Sequence, residues 1–280
     1  MKCFTAIGAA VLMAGLGAMA PAFATGTPAL YTVVPGLALT PLTALPPAPA
    51  AAAERGECAH FLASPTSEAA GIVSAAGWAV TGEAAVGPYQ AVAFVGRMTA
   101  GTSGSCEMDE GNIALFDGAT LVAIAYARRG AALSIGGIAP LEPRGIRIWT
   151  GDFLPRPVAE LHVAPDGAVL VTPLSAEESR CQGRVKVPNV YDLPIDVARR
   201  RLIAAGWRPV PRSGPSADGA GREATLAARV PEVESCAGTG FGFCAFEYDS
   251  AAASLTVITA GEDAMPPVTD YRTTCKSSAD

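Results

Sequence analysis

Two periods of apolar residues run along this chain, and the points where one gives way to the other mark its elements. Alternation of apolar and polar positions, the signature of a half-buried strand, runs through residues 89–95 and returns in shorter form at 133–138 and 146–149. Apolar stretches at 113–116 and 121–126 flank Asp117-Gly118, and those at 161–163 and 169–171 flank Asp166-Gly167. An Asp-Gly pair supplies the positive φ that tight hairpin turns require, so each dipeptide predicts a hairpin. Helical spacing is rarer. Pro65-Thr66-Ser67-Glu68 provides the start of a helix that Gly77 ends. Ile195, Ala198, Leu202 and Ala205 lie on one helical face that would rest on a sheet, with Asp192 as the expected cap. Ser175-Ala-Glu-Glu reads as a capping box for a short helical turn. Many strands and few helices predict an α+β protein, whose first domain is antiparallel and β-rich.

The sequence repeats one device. Ala75-Ala76-Gly77-Trp78 and Ala204-Ala205-Gly206-Trp207 each end a helix and open a strand. Glycine can take the left-handed conformation after the last turn, and the indole can fold back over the apolar side. Convergent use of one good helix stop explains the pair more simply than duplication.

Composition adds a compartment. The first 24 residues combine Lys2, an uncharged apolar core and Ala22-Phe23-Ala24, the layout of a cleaved signal peptide. Residues 25–53 carry no charge and many prolines, which predicts an extended spacer. Beyond them the expected division is a domain at 54–181, a second at 182–262 and a tail at 263–280. No later stretch is long enough to cross a membrane. Charged residues make up only 16% of the chain and the formal net charge is −6, which lacks the basic field that nucleic acid requires. Six cysteines remain after the signal, none in a C-x-x-C pair. In an exported, periplasmic or secreted protein they predict three disulfides. Cys236 and Cys244, separated by a glycine-rich loop, are the surest pair. For the rest, Cys58 with Cys106 and Cys181 with Cys275 is the first choice, although spacing leaves other pairings open.

Val187-Pro188-Asn189-Val190, followed by Ala198, Leu202 and Gly206-Trp207, resembles a PASTA domain. Asp192 stands where that family usually has glycine, and Trp207 where it more often has leucine or phenylalanine. The resemblance implies one helix on a three-stranded sheet, with further strands at 229–235, 243–248 and 254–259. It also implies a cell-envelope setting and possible recognition of peptidoglycan fragments. It brings no catalytic residue.

Chemistry is sparse. Nucleophile-elbow, phosphate-loop and zinc-helix motifs are missing, and the two histidines, His60 and His162, have no spacing suited to a metal. Neither a metal site nor a cofactor is expected. Glu107, Asp109 and Glu110 read as a solvated acidic turn. Arg147, Trp149, Asp152 and Arg156 bring basic groups, an indole and an acid close together, a mixture suited to a small polar ligand or glycan. If Ile146 and Ile148 face the core, Arg147 and Trp149 share the opposite face. A salt bridge from Asp152 to a neighbouring arginine is the plainer expectation. The function expected is non-catalytic binding or support in the envelope. The alternatives are an enzyme using Asp152, Arg147 or His162, and a protein-protein adaptor.

Overall fold

The computed structural model describes residues 28–212, 221–238 and 240–277. The expected signal sequence lies outside them, as does most of the glycine-rich loop at 213–221. In chain order the first body contains β1 (Leu30–Thr32), β2 (Leu37–Pro41), α1 (Glu68–Ala75), β3 (Ala79–Val86), β4 (Tyr89–Val95), β5 (Arg97–Ala100), β6 (Cys106–Asp109), β7 (Asn112–Asp117), β8 (Thr120–Ala127), β9 (Ile135–Leu141), β10 (Gly145–Thr150), β11 (Pro157–Val163) and β12 (Val169–Thr172). One sheet has the order β2-β8-β7-β4-β3 and is antiparallel throughout. The other has the order β1-β12-β11-β10-β9, and only β1 runs parallel to its neighbour. β5 and β6 form a separate ribbon.

The two sheets stack into a sandwich. Leu37, Ile113, Leu115 and the small Ala91, Ala93, Ala123 and Ala125 meet Ile135, Ile146, Ile148, Leu161 and Val171 from the facing sheet. β4 is apolar on both sides because both are covered. Its Val92 and Phe94 turn away from the sandwich toward α1 and Trp78. Ser67 Oγ caps α1 by accepting from the Ala70 amide at 3.1 Å. The backbones come closest at Gly111, where an added Cβ would lie 1.6 Å from the Ile135 carbonyl oxygen.

The uncharged stretch at 25–53 is not a spacer where the structure describes it. It supplies β1 and β2, one edge of each sheet, and buries Leu37 and Ala38. Edge strands tolerate proline because one row of their amides has no partner to lose, so Pro41 fits at the end of β2.

The chain continues through β13 (Glu177–Arg180), β14 (Val185–Pro188), α2 (Ile195–Ala204), β15 (Arg208–Pro209), α3 (Arg222–Ala227), β16 (Val233–Cys236), β17 (Cys244–Asp249), β18 (Ala253–Thr259) and β19 (Val268–Cys275). The capping-box expectation fails here: residues 177–180 form β13, paired with β14. Ser175 Oγ donates to Glu160 instead of capping a turn. The three-stranded sheet is also overturned. β15, β17, β18 and β19 lie side by side, β16 pairs with another part of β17, and α3 is added, so the second body is not the small helix-on-three-strands module. Taken whole, the protein is strand-rich, with several antiparallel sheets. Residues 263–280, expected as a tail, provide β19, anchored through Val268 and Tyr271.

α2 buries Ile195, Ala198 and Leu202 among Phe246, Tyr248, Leu255 and Val257, while Ala205 at its end is exposed. Its N-cap is Pro194, and Asp192 instead takes φ +60°, a left-handed conformation that aspartate tolerates better than most residues. Gly77 and Gly206 have φ of +93° and +91°. The indoles that follow donate to the carbonyls of Pro46 and Lys186, each at 3.0 Å. Of the three consecutive arginines on α2, Arg200 makes an exposed pair with Asp196, and Arg199 reaches the fully buried Glu232 at 2.9 Å. The disulfides are Cys58–Cys106, Cys181–Cys275 and Cys236–Cys244. They indicate maturation in an oxidising, extracytoplasmic compartment. Among the described residues no helix is long and apolar enough to cross a membrane.

Candidate functional site

Alternation on β10 sends Ile146 and Ile148 into the sandwich and Arg147 and Trp149 to the outer face of the sheet. That face meets the second body. A cleft of about 640 Å³ lies along the junction. Ala139 and Pro140 of β9, Leu154 and Pro155 after β10, Phe243, and Ile258 of β18 supply apolar walls. Arg180, Asp270 and Arg272 supply charge.

Beneath the cleft is a desolvated charge network. Arg147, Glu160 and Glu178 are 2%, 3% and 4% exposed. Arg147 Nη2 lies 2.7 Å from Glu160 Oε1, and Nη1 lies 2.7 Å from Glu178 Oε2. Ser175 Oγ donates to the second oxygen of Glu160 at 2.6 Å, and Arg180 Nη2 approaches Glu178 Oε2 at 3.0 Å. Each carboxylate comes from a different strand, Glu160 from β11 and Glu178 from β13. Burial alone would lower the Arg147 pKa. Glu178, the nearby tyrosines and the bond to Glu160 more than offset it, so the guanidinium stays charged.

Aromatic rings enclose this network. The Arg147 guanidinium carbon sits 5.4 Å from the centre of the Tyr191 ring. Tyr191 stacks on Tyr271 at 4.4 Å and meets Trp149 edge to face at 5.6 Å. Burial pushes the hydroxyls of Tyr191 and Tyr271 well above their ordinary range, so both remain neutral, and the Tyr191 hydroxyl accepts from Arg147 Nη1 at 3.5 Å. Tyr271 lies beside Glu178, yet neither its hydroxyl nor Glu178 Oε1 closes a hydrogen bond of full geometry. Arg147 Nε and Arg180 Nε also lack a partner among the described residues. Burial raises the Asp270 pKa against the opposing pull of Arg272, whose Nε lies 3.2 Å away.

The structure divides the four residues singled out in the sequence. Arg147 and Trp149 line the cleft. Asp152 and Arg156 form an exposed pair at 3.9 Å and are not among its lining residues. His162 stands on β11 opposite Leu170, also away from the lining, so Arg147, Asp152 and His162 do not converge. His60 contacts the carbonyls of Glu57 and Gly104. Glu107 and Asp109, expected in a solvated turn, lie in β6, and Asp109 pairs with Arg97 at 2.6 Å. Among the described residues no cluster of three or more His, Cys, Asp or Glu is placed to hold a metal. Glu160, Glu178, Tyr191 and Tyr271 were not candidates from sequence. Glu160 alternates with Ala159 and Leu161 on the same face as Arg147, and that alternation was the available signal.

No protein-family model, curated protein or solved structure matches this chain.

Proposed function

We propose that this chain is a periplasmic or secreted binding protein of the cell envelope, non-catalytic, with its ligand site in the cleft between the two bodies. One observation carries the reading: aromatic and aliphatic walls converge with a few charged groups on a concavity of about 640 Å³, the size and composition usual for small-molecule sites. The three disulfides support an extracytoplasmic setting. Preorganised walls suit a binding role, and Trp149, Tyr191 and Tyr271 are held by one another's rings.

Trp149 offers the test. Trp78 and Trp207 are buried in their own cores, whereas Trp149 is half-buried and lines the cleft. Tryptophan emission is followed while wall fragments, lipid and small-molecule fractions of an envelope extract are added, and sedimentation with purified peptidoglycan is measured in parallel. The expected result is a saturable emission change that the Trp149→Phe variant loses. No response to any fraction, with sedimentation equal to that of an unrelated acidic protein, would refute the proposal.

A further inference from the structure

The chemistry of the cleft narrows its ligand, and this step rests on the binding reading above. Four aromatic side chains, Trp149, Tyr191, Phe243 and Tyr271, line a space that is otherwise bounded mainly by Leu154, Pro155, Pro140 and Ile258. Phe243 remains 37% exposed, an aromatic surface left partly uncovered. Among the charged groups in the lining, three arginines, Arg147, Arg180 and Arg272, stand against one carboxylate, Asp270. Arg147 is taken up by Glu160 and Glu178, whereas the Arg180 side chain is 28% exposed and gives Nη2 to Glu178. Arg272 uses Nε on Asp270, and its side chain is 81% exposed, which leaves the end of the guanidinium in solvent. A guanidinium fork matches a carboxylate in particular.

We propose that the cleft binds a small aromatic carboxylate, with its ring among Trp149, Phe243 and Tyr271 and its carboxylate held by Arg180 and Arg272. A neutral glycan satisfies neither half: it brings no charge for the guanidiniums and little apolar surface for the walls. An acyl chain satisfies the walls but forgoes the edge-to-face and stacked geometry that aromatic rings prefer.

Calorimetric titration of the full chain with 2-naphthoate, 2-naphthol, decanoate and a soluble muropeptide tests this directly. The expected order places 2-naphthoate at least ten-fold tighter than each of the others. Arg272→Gln, at an exposed position, is expected to weaken 2-naphthoate five-fold or more and leave 2-naphthol unchanged. Arg180→Gln gives a second reading from the other arginine, with circular dichroism confirming its fold. Equal affinity for naphthoate and naphthol, or no effect of either arginine variant, would overturn the carboxylate assignment while leaving the cleft as a binding site. Equal or tighter binding of decanoate or the muropeptide would overturn the aromatic assignment. Absence of heat with all four probes, alongside a Trp149 response to an envelope fraction, would overturn the ligand class alone. Silence in both experiments would remove the binding reading itself.

Discussion

Arg147 shows what a single charged side chain costs and contributes when water is excluded. It holds two carboxylates, Glu160 and Glu178, that are themselves almost wholly buried. Removing it leaves two negative charges in the interior, with Arg180 beside Glu178 and Ser175 donating to Glu160. Arg147→Met is therefore expected to cost about 3–5 kcal/mol, read from urea unfolding midpoints. The triple variant Arg147→Met, Glu160→Gln, Glu178→Gln is expected to regain most of that loss, because the penalty belongs to the unpaired charge. Asp270 carries the opposite lesson. Its folded pKa is raised from 3.8 by burial, so the folded chain binds its proton more readily than the unfolded one. Stability from this group thus increases as pH falls through the raised folded value, and the gain is complete below 3.8. At neutral pH the half-buried charge is a burden. Asp270→Asn is expected to melt at a higher temperature than the parent at about pH 7, with the difference closing as pH falls toward the ordinary carboxylate range. A variant less stable at neutral pH would show that the Arg272 pair outweighs burial.

At the scale of elements, the sequence was readable wherever local chemistry decides. Ser67 and Gly77 bound α1, the Asp-Gly pairs turn their hairpins, and the three-to-four spacing of Ile195, Ala198 and Leu202 faces the second core. Elements decided by distant partners were misread or missed. β1 and β2 are proline-flanked and uncharged, and they become strands because β12 and β8 offer them open edges. Ser175 to Glu178 has the local form of a helix start, but residues 177–180 find a ladder partner in β14 and Glu178 meets Arg147. β19 alternates poorly, with Val268 and Tyr271 its main anchors, and it is held by β18 and a disulfide. The same distinction runs through the site. The face shared by Arg147 and Trp149 follows from strand alternation, whereas Glu178 and Tyr271 reach it from strands far along the chain.

The whole molecule depends on how its two bodies are held at the cleft. Arg147 and Trp149 come from the sandwich, Arg180 from β13, and Tyr271 and Arg272 from β19. Cys181, directly after β13, is bonded to Cys275 at the end of β19, closing a sequence separation of 94 residues. A loop of that length restricts the unfolded chain strongly, and the link also fixes the spacing of the two strands that carry the rim arginines. Cys181→Ser with Cys275→Ser is expected to lose up to about 4.7 kcal/mol of stability in chain-entropy terms. Most of the sheet structure should survive, because β19 keeps its ladder with β18 and the sandwich core contains neither cysteine. The Cys236–Cys244 link closes a separation of only 8 residues, so removing it should cost less. The two losses separate a global restraint from a local one. If the rim spacing depends on the long-range link, the Trp149 response should weaken in the Cys181/Cys275 variant at temperatures where circular dichroism is unchanged, and not in the Cys236/Cys244 variant. Equal responses in both would place the rigidity of the cleft in the Arg147 network instead of the disulfide.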